Sequence, residues 1–152
     1  MSVLNRVTTP KIAVAQLGKG FYRADIEFEG VDHSGSTYEG RVFVNKPNAD
    51  ARTATTAANG YAGSYYVFGH GGCYGDEGHC DVPVRGPYDP RPPHELSPTR
   101  KVVIATDAIN GAVKRGRSLT VTVVPVIMST TDKVPQGEVV PSFTSVSVIT
   151  YQ

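Results

Sequence analysis

Four side chains able to hold a soft metal ion fall within eleven positions of this sequence: His70, Cys73, His79 and Cys80, in His70-Gly-Gly-Cys73-Tyr-Gly-Asp76-Glu77-Gly-His79-Cys80-Asp81. Imidazole and thiolate are the ligands that zinc and copper prefer, tetrahedral around zinc and variable around copper. The glycines would let so short a loop fold back on one ion. The spacing H-x2-C-x5-H-C matches no finger or ribbon pattern, and the adjacent His79 and Cys80 can share an ion only across a kinked backbone. A Cys73–Cys80 disulfide is the alternative, since these are the two cysteines of the chain. Closing a loop of about eight residues would stabilise the fold by roughly 2.5 kcal/mol. Two free thiols are the third reading. Copper or zinc is the one cofactor the residues suggest; otherwise none is expected.

Other chemistry in the same stretch is less developed. Asp76, Glu77 and Asp81 could offer oxygen ligands to calcium, but no EF-hand spacing accompanies them. As an acid/base pair, Asp76 and Glu77 are adjacent and would diverge. A Cys73 nucleophile beside His70 or His79 lacks any recognisable oxyanion hole or orienting partner. Phosphate loops, HExxH and GxSxG are absent. His94 lies in the stiff Pro90-Arg-Pro-Pro-His94 and is expected to pack that stretch against a sheet. His33 falls in a turn and is expected to be exposed. No catalytic residue is assigned, and the chain is expected not to be an enzyme.

The elements that must carry this loop follow from composition and period. The chain has 152 residues, formal charge +1, 39% hydrophobic and 19% charged residues, with sixteen Gly and eleven Pro. That length suits a single domain over 1–152, with an N-terminal arm at 1–10 and a long Cys/His/Pro-rich loop at 69–98. The even charge balance shows no basic stripe, so no nucleic-acid partner is expected. No apolar run approaches the ~20 residues of a membrane span, so no membrane partner is expected either. The N-terminus does not read as a signal peptide, and the compartment stays open.

Lys11 to Leu17 reads as a strand. Ala24, Ile26 and Phe28 alternate with Asp25, Glu27 and Glu29, a period of two with one face buried and one wet. Residues 31–37 (VDHSGST) are a turn by composition, so a hairpin between about 22–29 and 38–44 is predicted. Residues 45–60 read as a surface loop, and Tyr61 to Gly69 as a strand in which Tyr61, Tyr65 and Tyr66 are buried. Lys101 to Ala105 starts another strand. Thr106 then caps a short helix with Asp107 in its first turn, Lys114 and Arg115 in its last, and Gly116 as its stop. Leu119 to Val126 and Phe143 to Tyr151 are the clearest strands. Pro125 belongs at an edge or strand end, because it cannot donate to a ladder. About seven strands and one short helix predict an all-β antiparallel sandwich.

Several of these segments occur in a familiar order: Tyr38-Glu-Gly-Arg-Val-Phe-Val-Asn45-Lys-Pro47, Tyr61-Ala-Gly-Ser-Tyr-Tyr-Val-Phe-Gly69, a helix near Asp107-Ala-Ile109, Leu119-Thr-Val-Thr-Val-Val-Pro125, and Ser145-Val-Ser-Val-Ile-Thr-Tyr151. The order resembles the C-terminal β-sandwich domain that follows the copper domain in bacterial tyrosinases and plant polyphenol oxidases, over roughly residues 11–151. The resemblance implies a non-catalytic module that covers an active-site entrance or contributes to assembly. Its partner would be a tyrosinase-like copper oxidase or another copy of itself. None of the family's copper ligands carries over: those six histidines stand on helices of another domain, and this chain has four His in all.

Overall fold

Alternation builds the central strand of the smaller sheet. In a computed structural model that describes residues 5–69, 77, 81–90, 97–127 and 141–152, Ala24, Ile26 and Phe28 of β3 (Arg23–Val31) are wholly buried. Gly30, at φ +64°, lets the strand bulge, and the register to the neighbouring strand slips between Phe28 and Val31.

Nine strands form among the described residues. Before β3 come β1 (Val7–Thr8) and β2 (Ile12–Ala13); after it come β4 (Tyr38–Val44), β5 (Tyr61–Val67) and β6 (Thr99–Ile104). Helix α1 (Thr106–Arg115) follows, then β7 (Ser118–Leu119), β8 (Val121–Ile127) and β9 (Ser145–Tyr151). The strands make a four-stranded sheet β1-β8-β4-β5, a three-stranded sheet β6-β3-β9 and a small pair β2-β7, with every pairing antiparallel. The all-β antiparallel class read from the sequence is the class observed.

One core lies between the two larger sheets. Ile26, Phe28 and Val31 of β3 and Val103 of β6 meet Val42 and Val44 of β4, Tyr65 and Val67 of β5, and Val121 and Val123 of β8. Phe28 is its aromatic centre, 4.9 Å from the Tyr65 ring and 5.4 Å from Phe143 between centroids. Helix α1 closes one end with Ile109 and Ala112, and Asp107 and the Lys114–Arg115 pair suit the helix dipole at its two ends. At one side the sheets nearly touch. Gly63 of β5, at φ +140°, comes so near β6 that a Cβ there would lie 2.8 Å from Val103.

Several expectations are corrected. Lys11 to Leu17 is not one strand: after β2 the chain tightens into a 3-10 helix, Val14–Leu17, that buries Leu17. The predicted hairpin does not form, because β3 and β4 enter different sheets. The turn between them is real, with Asp32 accepting the Ser34 N–H at 2.9 Å, but it crosses from one layer to the other. His33 within it is buried rather than exposed, with Nε2 at 2.6 Å from the Ser97 carbonyl. Thr106 does not cap α1. Its hydroxyl accepts the Ala24 N–H at 3.1 Å, which ties the helix to β3, and Ala105 takes the cap position. The arm at 1–10 is partly structured, since Val7 pairs with Val123. Of the three tyrosines on β5, Tyr65 is buried, Tyr61 is half-buried and Tyr66 is exposed. Pro125 sits on β8 opposite Gly40, beyond the two residues that β1 covers, in keeping with its missing donor.

Candidate functional site

His70, Cys73, His79 and Cys80, with Asp76 and His94, lie outside the described residues. Glu77 and Asp81 are exposed. No cluster of three or more His, Cys, Asp or Glu suited to a metal occurs among the described residues. No helix of the described residues is long and apolar enough to cross a membrane.

The described residues do assemble an unusual surface, and it begins with two carboxylates. Asp25 and Glu27 belong to the wet half of the β3 alternation, yet Asp25 is 1% exposed and Glu27 5%. Neighbouring side chains cover them. By register Asp25 lies between Ile104 of β6 and Ile149 of β9, Glu27 between Val102 and Ser147, and Arg23 opposite Tyr151. A carboxylate so enclosed needs a charged partner. Arg23 provides one as a fork, with Nε on Oδ1 and Nη2 on Oδ2, each at 2.8 Å. The guanidinium carbon also sits 5.5 Å from the centroid of the Tyr151 ring. Arg100 of β6 bonds Glu27 and reaches Glu29 at 3.1 Å. The bond to Asp25 raises the Arg23 pKa above its ordinary value, and the bond to Glu27 does the same for Arg100.

Both Asp25 oxygens are occupied by Arg23 and a Glu27 oxygen by Arg100, so the pair is poorly placed to take a substrate proton or bind a metal. What the arrangement can do is recognise. Two arginines are held in fixed positions, and around them stand apolar side chains that the fold leaves in water: Ile104 is 62% exposed, Val102 42%, and Ile149 and Tyr151 36% each. An exposed apolar cluster on one sheet face carries more information than scattered exposed residues do. The opposite sheet offers a contrast. There Ala49, from the 45–60 loop, is buried against Phe43 and Val124, and the Arg6 side chain reaches the Ala49 carbonyl, so the loop roofs that face. Nothing among the described residues roofs β6-β3-β9.

Sequence reasoning missed this surface because alternation marks Asp25 and Glu27 simply as wet. The available signal was three apolar residues, Val102, Ile104 and Ile149, at outward positions next in sequence to the inward Val103 and Val148. A second concavity, a cleft of about 150 Å³ between α1 and the β4–β5 sheet, is lined by Asn45, Tyr61, Asp107, Gly111 and Arg115 among others. Asn45 there adopts φ +55° and holds Thr120 through both its backbone and its side chain.

No protein-family model matches the chain, and no curated protein is detectably similar to it in sequence. A solved structure is similar in fold: recombinantly expressed latent aurone synthase, a polyphenol oxidase, superposes on 98% of this chain with a TM-score of 0.55 and 14% identity. The chain spans about a quarter of the length of that protein, and the likeness is one of fold.

Proposed function

We propose that this chain is a non-catalytic β-sandwich module that works by association, of the kind found beside the copper domain of tyrosinase-like oxidases. The observation that carries the reading is the exposed apolar cluster on the outer face of β6-β3-β9, with Ile104, Val102, Ile149 and Tyr151 around arginines already fixed by buried carboxylates. Rigid arginine and aromatic side chains set among apolar ones are the usual composition of a binding hot spot. The strand motifs shared with the tyrosinase-family module and the fold likeness to a polyphenol oxidase support the choice of partner class. Light scattering after size exclusion, of the chain alone and mixed with a tyrosinase-family copper domain, is expected to show a complex. Ile104→Lys, at an exposed position across from Asp25, is expected to weaken that complex at least about tenfold while leaving the thermal midpoint nearly unchanged. A strict monomer with no affinity for the copper domain would overturn the reading.

A second reading rests on the density of soft ligands in His70, Cys73, His79 and Cys80. If these residues bind zinc or copper, native mass spectrometry is expected to show one ion per chain that a chelator removes and that Cys73→Ser with Cys80→Ser abolishes. A metal-free mass two hydrogens short of the reduced chain would instead establish the disulfide.

A further inference from the structure

We infer that β9 is a self-association edge, along which two copies of this chain pair antiparallel about a two-fold axis at Ser147 and join their three-stranded sheets into one of six strands.

The larger sheets have four edges: β1, β5, β6 and β9. β1 is two residues long. The edges of β5 and β6 lie against each other, as the approach of Gly63 to Val103 shows. β6 also carries Arg100 and Lys101, the charges with which natural sheets discourage edge pairing. β9 differs in every respect. It has seven residues, Ser-Val-Ser-Val-Ile-Thr-Tyr, with no charge, no Pro and no Gly. It pairs with β3 on one side, and no strand lies on its other side among the described residues.

The strand also leaves the core unfinished. Val146 and Val148 pack on the core yet remain only half-buried, as does Phe143 just before the strand. An added strand would cover them. The 3-10 helix Val14–Leu17 reaches β9 near its end, where the Thr150 hydroxyl bonds the Leu17 carbonyl, so the proposed pairing uses 145–149. Its midpoint is Ser147. Pairing about that residue sets Val146 opposite Val148 and Ser145 opposite Ile149 of the other copy. Side chains alternate faces along a strand, so this register keeps inward residues with inward ones and outward with outward. A neutral strand meets no like charge when it meets itself, which makes a second copy a better occupant than a segment chosen for charge. The proposal deepens the association reading by naming one partner. It concerns the strand edge, whereas a copper-domain partner would take the outer face; Ile104→Lys, on β6 two strands from that edge, is expected to leave the dimer intact and so separates the two.

Sedimentation velocity from about 5 to 500 µM is the test, a range suited to an interface smaller than the ~1,200 Å² of stable complexes. Dimer is expected to grow with concentration, and amide exchange at residues 145–149 to slow at the high end. Ser147→Lys would set two ammonium groups across the axis and is expected to return the chain to monomer, with at least about a tenfold loss of affinity. Its fold should hold, because residue 147 is exposed and lies opposite Glu27 of β3. Ser147→Thr is expected to retain the dimer. A monomer throughout the range overturns the proposal, and so does a dimer that Ser147→Lys leaves intact.

Discussion

Replacing Phe28 by Ala is expected to lower the unfolding free energy by about 4 kcal/mol, within the range of 3–5 found for large aromatic deletions in cores. Phe28 is entirely buried on the central strand of one sheet, and its ring joins that sheet to Tyr65 of the other and to Phe143 ahead of β9. The cavity left behind would be walled by both layers, which cannot collapse together because β3 is held by ladders on both sides. A domain of this size has about 5–15 kcal/mol in total, so the variant would lose a large fraction of its folded population margin. Urea unfolding followed by circular dichroism measures the effect. Phe28→Leu is expected to cost about half as much. A loss under about 1 kcal/mol for the Ala variant would mean that Phe28 is not the bridge between the layers.

Alkaline solution is expected to produce the second large effect. The Tyr38 and Tyr65 rings lie 6.2 Å apart, both almost wholly buried, and neither hydroxyl has a hydrogen-bond partner among the described residues. Burial pushes the Tyr65 phenol far above its ordinary range and raises that of Tyr38 as well. The folded chain therefore keeps protons that the unfolded chain gives up above about pH 10. Stability is whole below that pH and falls as the pH rises past it, by about 1.4 kcal/mol per pH unit for each phenol held protonated. Urea titrations between about pH 8 and 11.5, with tyrosinate absorbance as a second probe, should show this decline. The double change Tyr38→Phe and Tyr65→Phe is expected to flatten it. The same change should cost little stability at neutral pH, since it removes together two buried hydroxyls that have no hydrogen-bond partner among the described residues. An unchanged alkaline decline in the double variant would place its source elsewhere.

Local pattern was legible where one side chain sequence served one layer. Ala24, Ile26 and Phe28 announced β3, and Asp107 with Lys114 and Arg115 announced α1, because period and end charges are properties of the segment itself. What a segment does with its neighbours was not written locally. The turn at 31–37 has the residues of a hairpin, but His33 is buried with its ring on the Ser97 carbonyl, and β4 leaves for the other layer. Thr106 has the chemistry of a cap, but the Ala24 N–H, far off in sequence, claims its hydroxyl. The exposed apolar face was hidden for the same reason: Ile104 and Ile149 become one surface only when β3 brings their strands together with Asp25 between them.

That arrangement of β3 also governs how the molecule comes to exist in time. Its partners are β6 and β9, so Arg23 waits for Tyr151 and Asp25 for Ile104, while β1 waits for β8. Among the described strands only β4 and β5 pair with a neighbour in sequence. Closing such long loops is entropically costly before any contact rewards it, so refolding belongs in the slow, millisecond-to-second class of sandwich proteins. On the ribosome the order is stricter still. Until residue 151 has cleared the exit tunnel, β3 has a bare side, and the nascent chain must keep Ile26 and Phe28 from other strands with half of its sheet unmade.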